Sequence, residues 1–345
     1  MANNCSPKQP LQRGTHPLNA LSPDEIKTAA ALVRTEAHFN AACRFESIRV
    51  HYPPKHEVQA GTSTHGRKAF VSTYDTNTNL VTETIVNLAT RAVQTVTAIP
   101  GAQPAINADE FMLCAHAVAK HPAFIEAMAK RGITNLDFVQ VDPFSAGNFD
   151  LQDEADKRLV HCMVYYRNEL AENGYAHPVE GLNVLFDLNT SELVELIDNG
   201  VHAVPEASAN YSATFEEVRA LARDDMLPIE VTQPDGPSFS VQDNVVTWLN
   251  WRFHVEFHAR EGLVLNDIQV RGGAGSDAFG GWRPLCYRAS IAEMVVPYGD
   301  PSFNHFRKNA FDVGEYGIGQ VANSLQLGCD CRGHIHYFDG VVNNT

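Results

Sequence analysis

Ser22-Pro23-Asp24-Glu25-Ile26 and Asn107-Ala108-Asp109-Glu110-Phe111 are the two stretches that decide how this chain folds. Each offers a side-chain acceptor at a helix N-cap. Each then places a glutamate three residues on, where it can bond back to the N-cap amide, the reciprocal arrangement of a capping box. Pro23 suits the first helical position, which needs no N–H. Ile26, Ala30 and Val33 follow the first box at helical spacing, and Phe111, Ala115, Val118 and Ala119 follow the second, with Gly132 as a later stop. Strand-like runs come after each helix. In the first unit these are Ile48, Val50 and Tyr52, stopped by Pro53-Pro54, then 69–74 and 80–96, closing near Pro100-Gly101. In the second they are 138–141, ending at Asp142-Pro143, then 159–167 and 182–188. A helix followed by strands, written twice, predicts a duplicated α+β module in which each helix covers one face of an antiparallel sheet. The copies agree in the order of elements, not in residues.

From about residue 228 helical periodicity fades. Alternating apolar segments at 245–251, 253–257, 263–270 and 289–296, punctuated by Gly and Pro, predict the opening of a large all-β sandwich domain. The expected division is a flexible leader over 1–15, a first small α+β domain over 16–103 and a second over 104–215. A linker over 216–240 then leads to an incomplete β-sandwich catalytic domain over 241–345.

Composition sets limits on function. A chain of 345 residues implies two or three domains, and 44% hydrophobic with 19% charged residues is ordinary for a soluble globular protein. A formal net charge of -15 repels phosphate backbones, which argues against a nucleic-acid partner and modestly favours cationic ligands such as protonated amines. No 18-residue apolar run predicts a membrane helix, and the first twenty residues show no signal-peptide core. Seven scattered cysteines, an odd number, do not form a disulfide framework and point to an intracellular compartment. Cys329-Asp330-Cys331 has one intervening residue, not the two usual in zinc and redox sites.

The most specific stretch is Asn309-Ala310-Phe311-Asp312-Val313-Gly314-Glu315-Tyr316-Gly317-Ile318-Gly319, leading to Ser324-Leu325-Gln326-Leu327-Gly328-Cys329-Asp330-Cys331 and preceded by Ala292-Glu293-Met294-Val295-Val296-Pro297-Tyr298-Gly299-Asp300-Pro301. Together with His16-Pro17-Leu18, Tyr175-Ala176-His177-Pro178-Val179-Glu180-Gly181-Leu182, Trp251-Arg252-Phe253 and Arg260-Glu261-Gly262-Leu263, these residues closely resemble the copper amine oxidases, over about residues 15 to 340. The resemblance implies oxidative deamination of a primary amine. The amine condenses with topaquinone, a quinone made from a tyrosine of the protein, and a carboxylate removes the α-proton. Aldehyde is released, and copper and dioxygen reoxidise the cofactor to give hydrogen peroxide and ammonia. By the same resemblance Asp312 is the proton acceptor and Tyr298 hydrogen-bonds the quinone. Ala310 stands where some members carry an aromatic gate, and Phe311, Val313, Gly314 and Gly317 are expected beside the substrate. The complete protein is expected to be a homodimer, in the cytoplasm or a peroxisome.

The chemistry suits these residue types. A carboxylate base must be ionised yet basic enough to take a carbon-bound proton, and burial in an apolar channel is expected to raise its pKa toward roughly 6–7. A phenol can donate to charge on a quinone oxygen. Outside the motif, an Asp two residues before a Gly reads as a turn residue, and Tyr298 as a strand-end tyrosine.

Other features read as ordinary structure. His334-Ile335-His336 has metal-pair spacing but is expected to be ordinary strand residues. His254 and His258 lie in a strand-like segment. Asn210-Tyr211-Ser212 lacks the acid of a quinone-forming site and precedes Asp312. The Gly-rich stretches 272–281 and 314–319 lack a strand–G-x-G-x-x-G–helix context. Leu249 and Glu256 depart from the family pattern, and Glu256 puts an unexplained charge into a strand. The resemblance also implies that the quinone tyrosine, the copper histidines and the usual partner of Cys329 would follow Thr345. The chain alone is therefore expected to lack copper and activity, with unpaired strands in its tail. The alternatives are a non-catalytic binding or dimer-interface module, and a pair of small-ligand binding modules.

Overall fold

The computed structural model describes residues 16–61, 64–147, 149, 151, 154, 157–273, 281–315, 317–325 and 331–342. The leader over 1–15, Cys329 and most of the Gly-rich stretch 272–281 lie outside these residues. The fold is α+β, two successive helix-plus-antiparallel-sheet modules followed by the start of a large all-β domain, and it divides into two compact units.

The first unit gathers Met1–Pro104, Ile229–Glu293 and Gly317–Thr345. Its helix α1 (Pro23–Val33) starts at the first capping box, with Glu25 N donating to Ser22 Oγ at 3.2 Å and Ser22 N to Glu25 Oε2 at 2.7 Å. Ile26, Ala29, Ala30 and Val33 form its buried stripe. They pack on a sheet of order β1-β2-β3-β4, made of β1 (Cys43–Val50), β2 (Lys68–Asp75), β3 (Leu80–Asn87) and β4 (Ala92–Ile99). Ile48, Val50, Ala69, Val71 and Val86 complete the core. Burying each larger aliphatic contributes roughly 1.5–3 kcal/mol. The β-rich stretch expected at 80–96 is resolved into two strands, β3 and β4. Asn87 Oδ1 accepts from Ala89 N and Thr90 N, both at 3.0 Å, and this side-chain turn folds the run back on itself. A short helix, α2 (Lys55–Ala60), follows the Pro53-Pro54 stop.

The same unit holds a second meander of order β13-β12-β11-β10-β9. It comprises β9 (Phe239–Gln242), β10 (Val245–Trp248), β11 (Trp251–His258), β12 (Gly262–Arg271) and β13 (Trp282–Ala289). Asp243 and Asn244, with φ of 50° and 62°, make the two-residue turn between β9 and β10, a position that favours these residue types. The run expected at 289–296 is not one strand, since β13 ends at Ala289 and the chain is irregular until Val295. His334 and His336 are not strand residues either. They are exposed, in irregular chain without a pairing partner strand.

The second unit gathers Ala105–Pro228 and Met294–Tyr316. Helix α3 (Ala108–Lys120) starts at the second capping box, with Asn107 N donating to Glu110 Oε2 at 2.9 Å. Pro122 breaks the expected single helix and opens α4 (Pro122–Lys130). The sheet has the order β5-β6-β7-β8, from β5 (Val139–Ser145), β6 (Leu159–Tyr166), β7 (Leu182–Asp187) and β8 (Glu192–Asp198). Strand β5 runs through Asp142-Pro143 instead of ending there. It is the edge strand of its sheet, where a residue without an N–H is tolerated. Phe124, Met128, Val160, Cys162, Val184 and Phe186 pack between the helices and one sheet face. A four-residue helix α5 (Glu216–Arg219) follows, and the returning segment adds the short pair β14 (Val295–Pro297) and β15 (Asn309–Phe311).

Candidate active site

The segment 294–315 lies against the sheet face turned away from α3 and α4. Strand alternation places Val141, Val160, Cys162, Val164 and Val184 in the helix-side core. Asp142, Phe144, His161, Met163, Tyr165, Asn183 and Leu185 are therefore left for the other face. Buried polar contacts fix the segment there. Glu315, 1% exposed, accepts from Ser145 N and from Phe311 N at 3.1 Å. Arg307, 4% exposed, donates to Ala146 O at 3.1 Å and pairs with Glu154. Gly314 O accepts from Ile106 N at 3.0 Å. Asn304 Nδ2 donates to Asn183 Oδ1 at 2.6 Å, and His305 Nε2 meets Glu180 Oε2 at 2.9 Å.

Between segment and sheet lies a cavity of ≈ 600 Å³. The segment lines it with Tyr298, His305, Lys308, Ala310 and Asp312, and the sheet side contributes Asp142, Phe144, Met163, Tyr165, Tyr175 and Glu180 among others. Tyr298, Ala310 and Asp312 are thus brought together. Ala310 and Asp312 alternate to the same side of the chain at β15, whereas Phe311 and Val313 face the other way and do not line the cavity. Val313 is fully buried. Gly314 and Gly317 do not line it either. Gly317 belongs to the first unit, where its φ of +73° and the 3.3 Å between a Cβ there and Arg260 Cα require a glycine.

Asp312 is half-buried, and its N–H donates to Met294 O at 3.1 Å. The Lys308 ammonium lies 4.5 Å from the centre of the Tyr298 ring. Burial pushes the Tyr165 phenol well above its ordinary range, with the Asp142 carboxylate adding to it. Tyr175 is pushed up to about 12, first by burial and then by its hydrogen bond to Asp142. Both phenols therefore stay neutral at physiological pH. His161, 1% exposed, is lowered to about 4, first by burial and then by charge interactions with Arg307, His305 and Lys308. Sequence reasoning quoted Glu315, Glu180 and Asp142 within motifs without giving them site roles, and it passed over Tyr165. A carboxylate on a strand carries no local mark of what covers its face.

Glu256, unexplained in the sequence, sits in the first unit at 2% exposure. It accepts from Tyr52 Oη and Asn266 Nδ2, both at 2.8 Å. Burial raises its carboxyl to about 7, against those two hydrogen bonds and the nearby guanidinium groups of Arg288 and Arg49. Among the described residues no three His, Cys, Asp or Glu side chains are disposed to hold a metal ion. Among them, too, no helix is long and apolar enough to cross a membrane.

Three family models match in succession. The copper amine oxidase N2 domain covers residues 16–99, the N3 domain 109–215 and the enzyme domain 240–345. The chain is 41% identical to a primary amine oxidase of Arthrobacter sp. (strain P1), over 94% of this chain and 49% of that protein. It is 36% identical to a peroxisomal copper-containing diamine oxidase of Nicotiana tabacum, over 95% of this chain and 46% of that one. Among solved structures, a copper-containing benzylamine oxidase from Hansenula polymorpha superposes with a TM-score of 0.75 at 27% identity, covering 94% of this chain and 52% of that one. The chain therefore spans about half the length of the relatives it matches. With all three domain models matched in order, this chain belongs to the copper amine oxidase family.

Proposed function

We propose that this chain supplies the substrate cavity of a primary-amine oxidase, in which an amine, dioxygen and water become an aldehyde, ammonia and hydrogen peroxide. The observation that supports this most is the convergence of Tyr298, Ala310 and Asp312 on one cavity. In that reading the Asp312 carboxylate takes the proton from the amine's α-carbon, a role that contributes about 10²–10⁴-fold. The Tyr298 hydroxyl donates a hydrogen bond to an oxygen of the cofactor. The family's topaquinone and copper supply the two-electron chemistry when present. Ala310 leaves room at the gate position and favours bulkier amines. The complete enzyme is a homodimer in an intracellular compartment, cytoplasmic or peroxisomal, a reading supported by the free thiols and by the peroxisomal tobacco relative.

The test is peroxide release from the full-length protein. Asp312→Asn is expected to lower kcat by about 10²–10⁴-fold while amine binding persists. Turnover unchanged by that substitution would sink the assignment. Absence of peroxide release from the full-length, copper-loaded protein would instead favour a non-catalytic binding or dimer-interface module. Ala310→Phe is expected to shift preference from phenylethylamine toward methylamine, and a wild type that already prefers methylamine would contradict the role given to Ala310.

A further inference from the structure

Cys114 of α3 and Cys162 of β6 meet inside the second module. Their sulfurs lie 3.5 Å apart, and both residues are fully buried. Cys43, Cys286 and Cys331 instead contact His38, Arg288 and Tyr337. Packing alone does not ask for sulfur at this place. Cys114 stands four residues after the capping-box Glu110, and Cys162 is the fourth residue of its strand. The same positions of the first module, four after Glu25 and fourth in β2, hold Ala29 and Val71, which are also fully buried. Hydrocarbon side chains thus serve in one copy where two thiols stand in the other. Cys162 lies on a central strand, between β5 and β7, and its neighbours Met163 and Tyr165 line the cavity on the opposite face.

We propose that Cys114 and Cys162 are a modification site, a dithiol that a hydroperoxide converts to a disulfide tying α3 to the central strand of the sheet. One thiol gives up its proton, and its sulfur attacks a peroxide oxygen. The O–O bond breaks, hydroxide leaves and takes up that proton as water, and the cysteine becomes a sulfenic acid. The second sulfur then attacks the first, the S–O bond breaks, and a second water leaves with the remaining thiol proton. Two thiols lose two electrons and two protons, and hydrogen peroxide is reduced to two molecules of water. Forming the bond asks the sulfurs to close by roughly 1.5 Å. Burial, and then the hydrogen bond with Cys114, hold the Cys162 thiol well above its ordinary range, so little thiolate forms while the core is closed. Reaction therefore runs through brief lifting of α3, and the contact between the sulfurs decides which thiol traps the sulfenic acid. A primary-amine oxidase releases peroxide of its own, but the dithiol does not depend on that reading of the chain.

Treatment of the folded chain with hydrogen peroxide tests it, followed by alkylation in denaturant, proteolysis and mass spectrometry. Two peptides joined through Cys114 and Cys162 are expected, lighter by two hydrogens than the separate pair and split by dithiothreitol. The same oxidation of the chain unfolded in denaturant is expected to scatter pairings among its seven cysteines. In Cys162→Ala, Cys114 has no partner to trap its sulfenic acid and is expected to go on to the sulfinic acid. Full alkylation of Cys114 and Cys162 after Cys286 has been completely oxidised overturns the proposal. So does sulfinic acid at either position of the unsubstituted chain, pairing of either with another cysteine, or a map that is the same for folded and unfolded chain. The peptide map of the unsubstituted chain decides the matter even if Cys162→Ala fails to fold.

Discussion

The module of β1–β4 and the module of β5–β8 share more than the order of their elements. In each, the capping-box glutamate is held by an arginine that immediately precedes the second strand. Arg67 Nε reaches Glu25 Oε1 at 2.8 Å, and Arg158 Nε reaches Glu110 Oε1 at 2.9 Å. Each arginine also donates to carbonyls just ahead of its helix, Asn19 and Ala20 in one copy and Ala105 in the other. The carbonyl of each accepts from a leucine just past the third strand, Leu88 at 3.0 Å and Leu188 at 2.9 Å. The modules are one device built twice. They differ in depth, since the side chains of Glu25 and Arg67 are each 27% exposed and those of Glu110 and Arg158 only 2–3%. They differ also in their surroundings. In the first unit Tyr52, just past β1, bonds to Glu256 of β11, while Tyr287 Oη bonds to Pro53 O at 2.6 Å, tying the two sheets together. In the second, a returning segment leaves a cavity lined by carboxylates. A duplicated scaffold thus becomes a clasp in one place and a candidate binding site in the other, according to what closes on it.

Breaking the paired arginine–glutamate contacts should separate the copies. Glu110→Ala is expected to cost about 3–5 kcal/mol, because it strands a buried guanidinium. If denaturant unfolding finds it no worse than Glu25→Ala, depth is not what distinguishes the modules. Glu256→Gln probes the clasp. A folded-state carboxyl near 7 against an ordinary 4.5 means that the folded form keeps a proton the unfolded form has released. That contribution is complete below about pH 4.5 and is lost as pH rises to about 7, a change on the order of 3 kcal/mol. The Gln variant should show a flatter fall in melting temperature across this window, and an unaltered slope would rule Glu256 out as its source. Glu25→Ala is expected to have the smallest effect, about 1 kcal/mol. Burial works against ionisation of Glu25, but hydrogen bonds from Arg67 and Ser22 outweigh it and hold its carboxyl low, in a setting solvent partly screens. A loss of several kcal/mol there would make the two ion pairs energetically equivalent despite their exposure.

Local signals read well where local chemistry decides the outcome. Both capping boxes form as written, and the helix and strand order of both modules follows from periodicity. The errors fall where a neighbour decides. Pro143 reads as a stop until its strand is known to be an edge, and Gly132 reads as the end of one helix until Pro122 is seen to open a second. Asp312, Tyr298 and Ala310 were visible because a long motif surrounds them. Asp142, Tyr165 and Glu256 carry no such mark, since a polar residue on a strand looks the same whether it faces water, a cavity or another sheet.

Sequence by itself determined the α+β class, the doubled helix-and-sheet order and the family, because capping, period-2 alternation and contiguous motifs are properties of neighbouring residues. Only the tertiary structure decided that the two capping glutamates find equivalent arginines, that Glu256 lies buried beneath Tyr52, and that Asp142 and Asp312 share a cavity. Those pairings join residues between 42 and 204 positions apart, and nothing short of packing brings them within reach of each other.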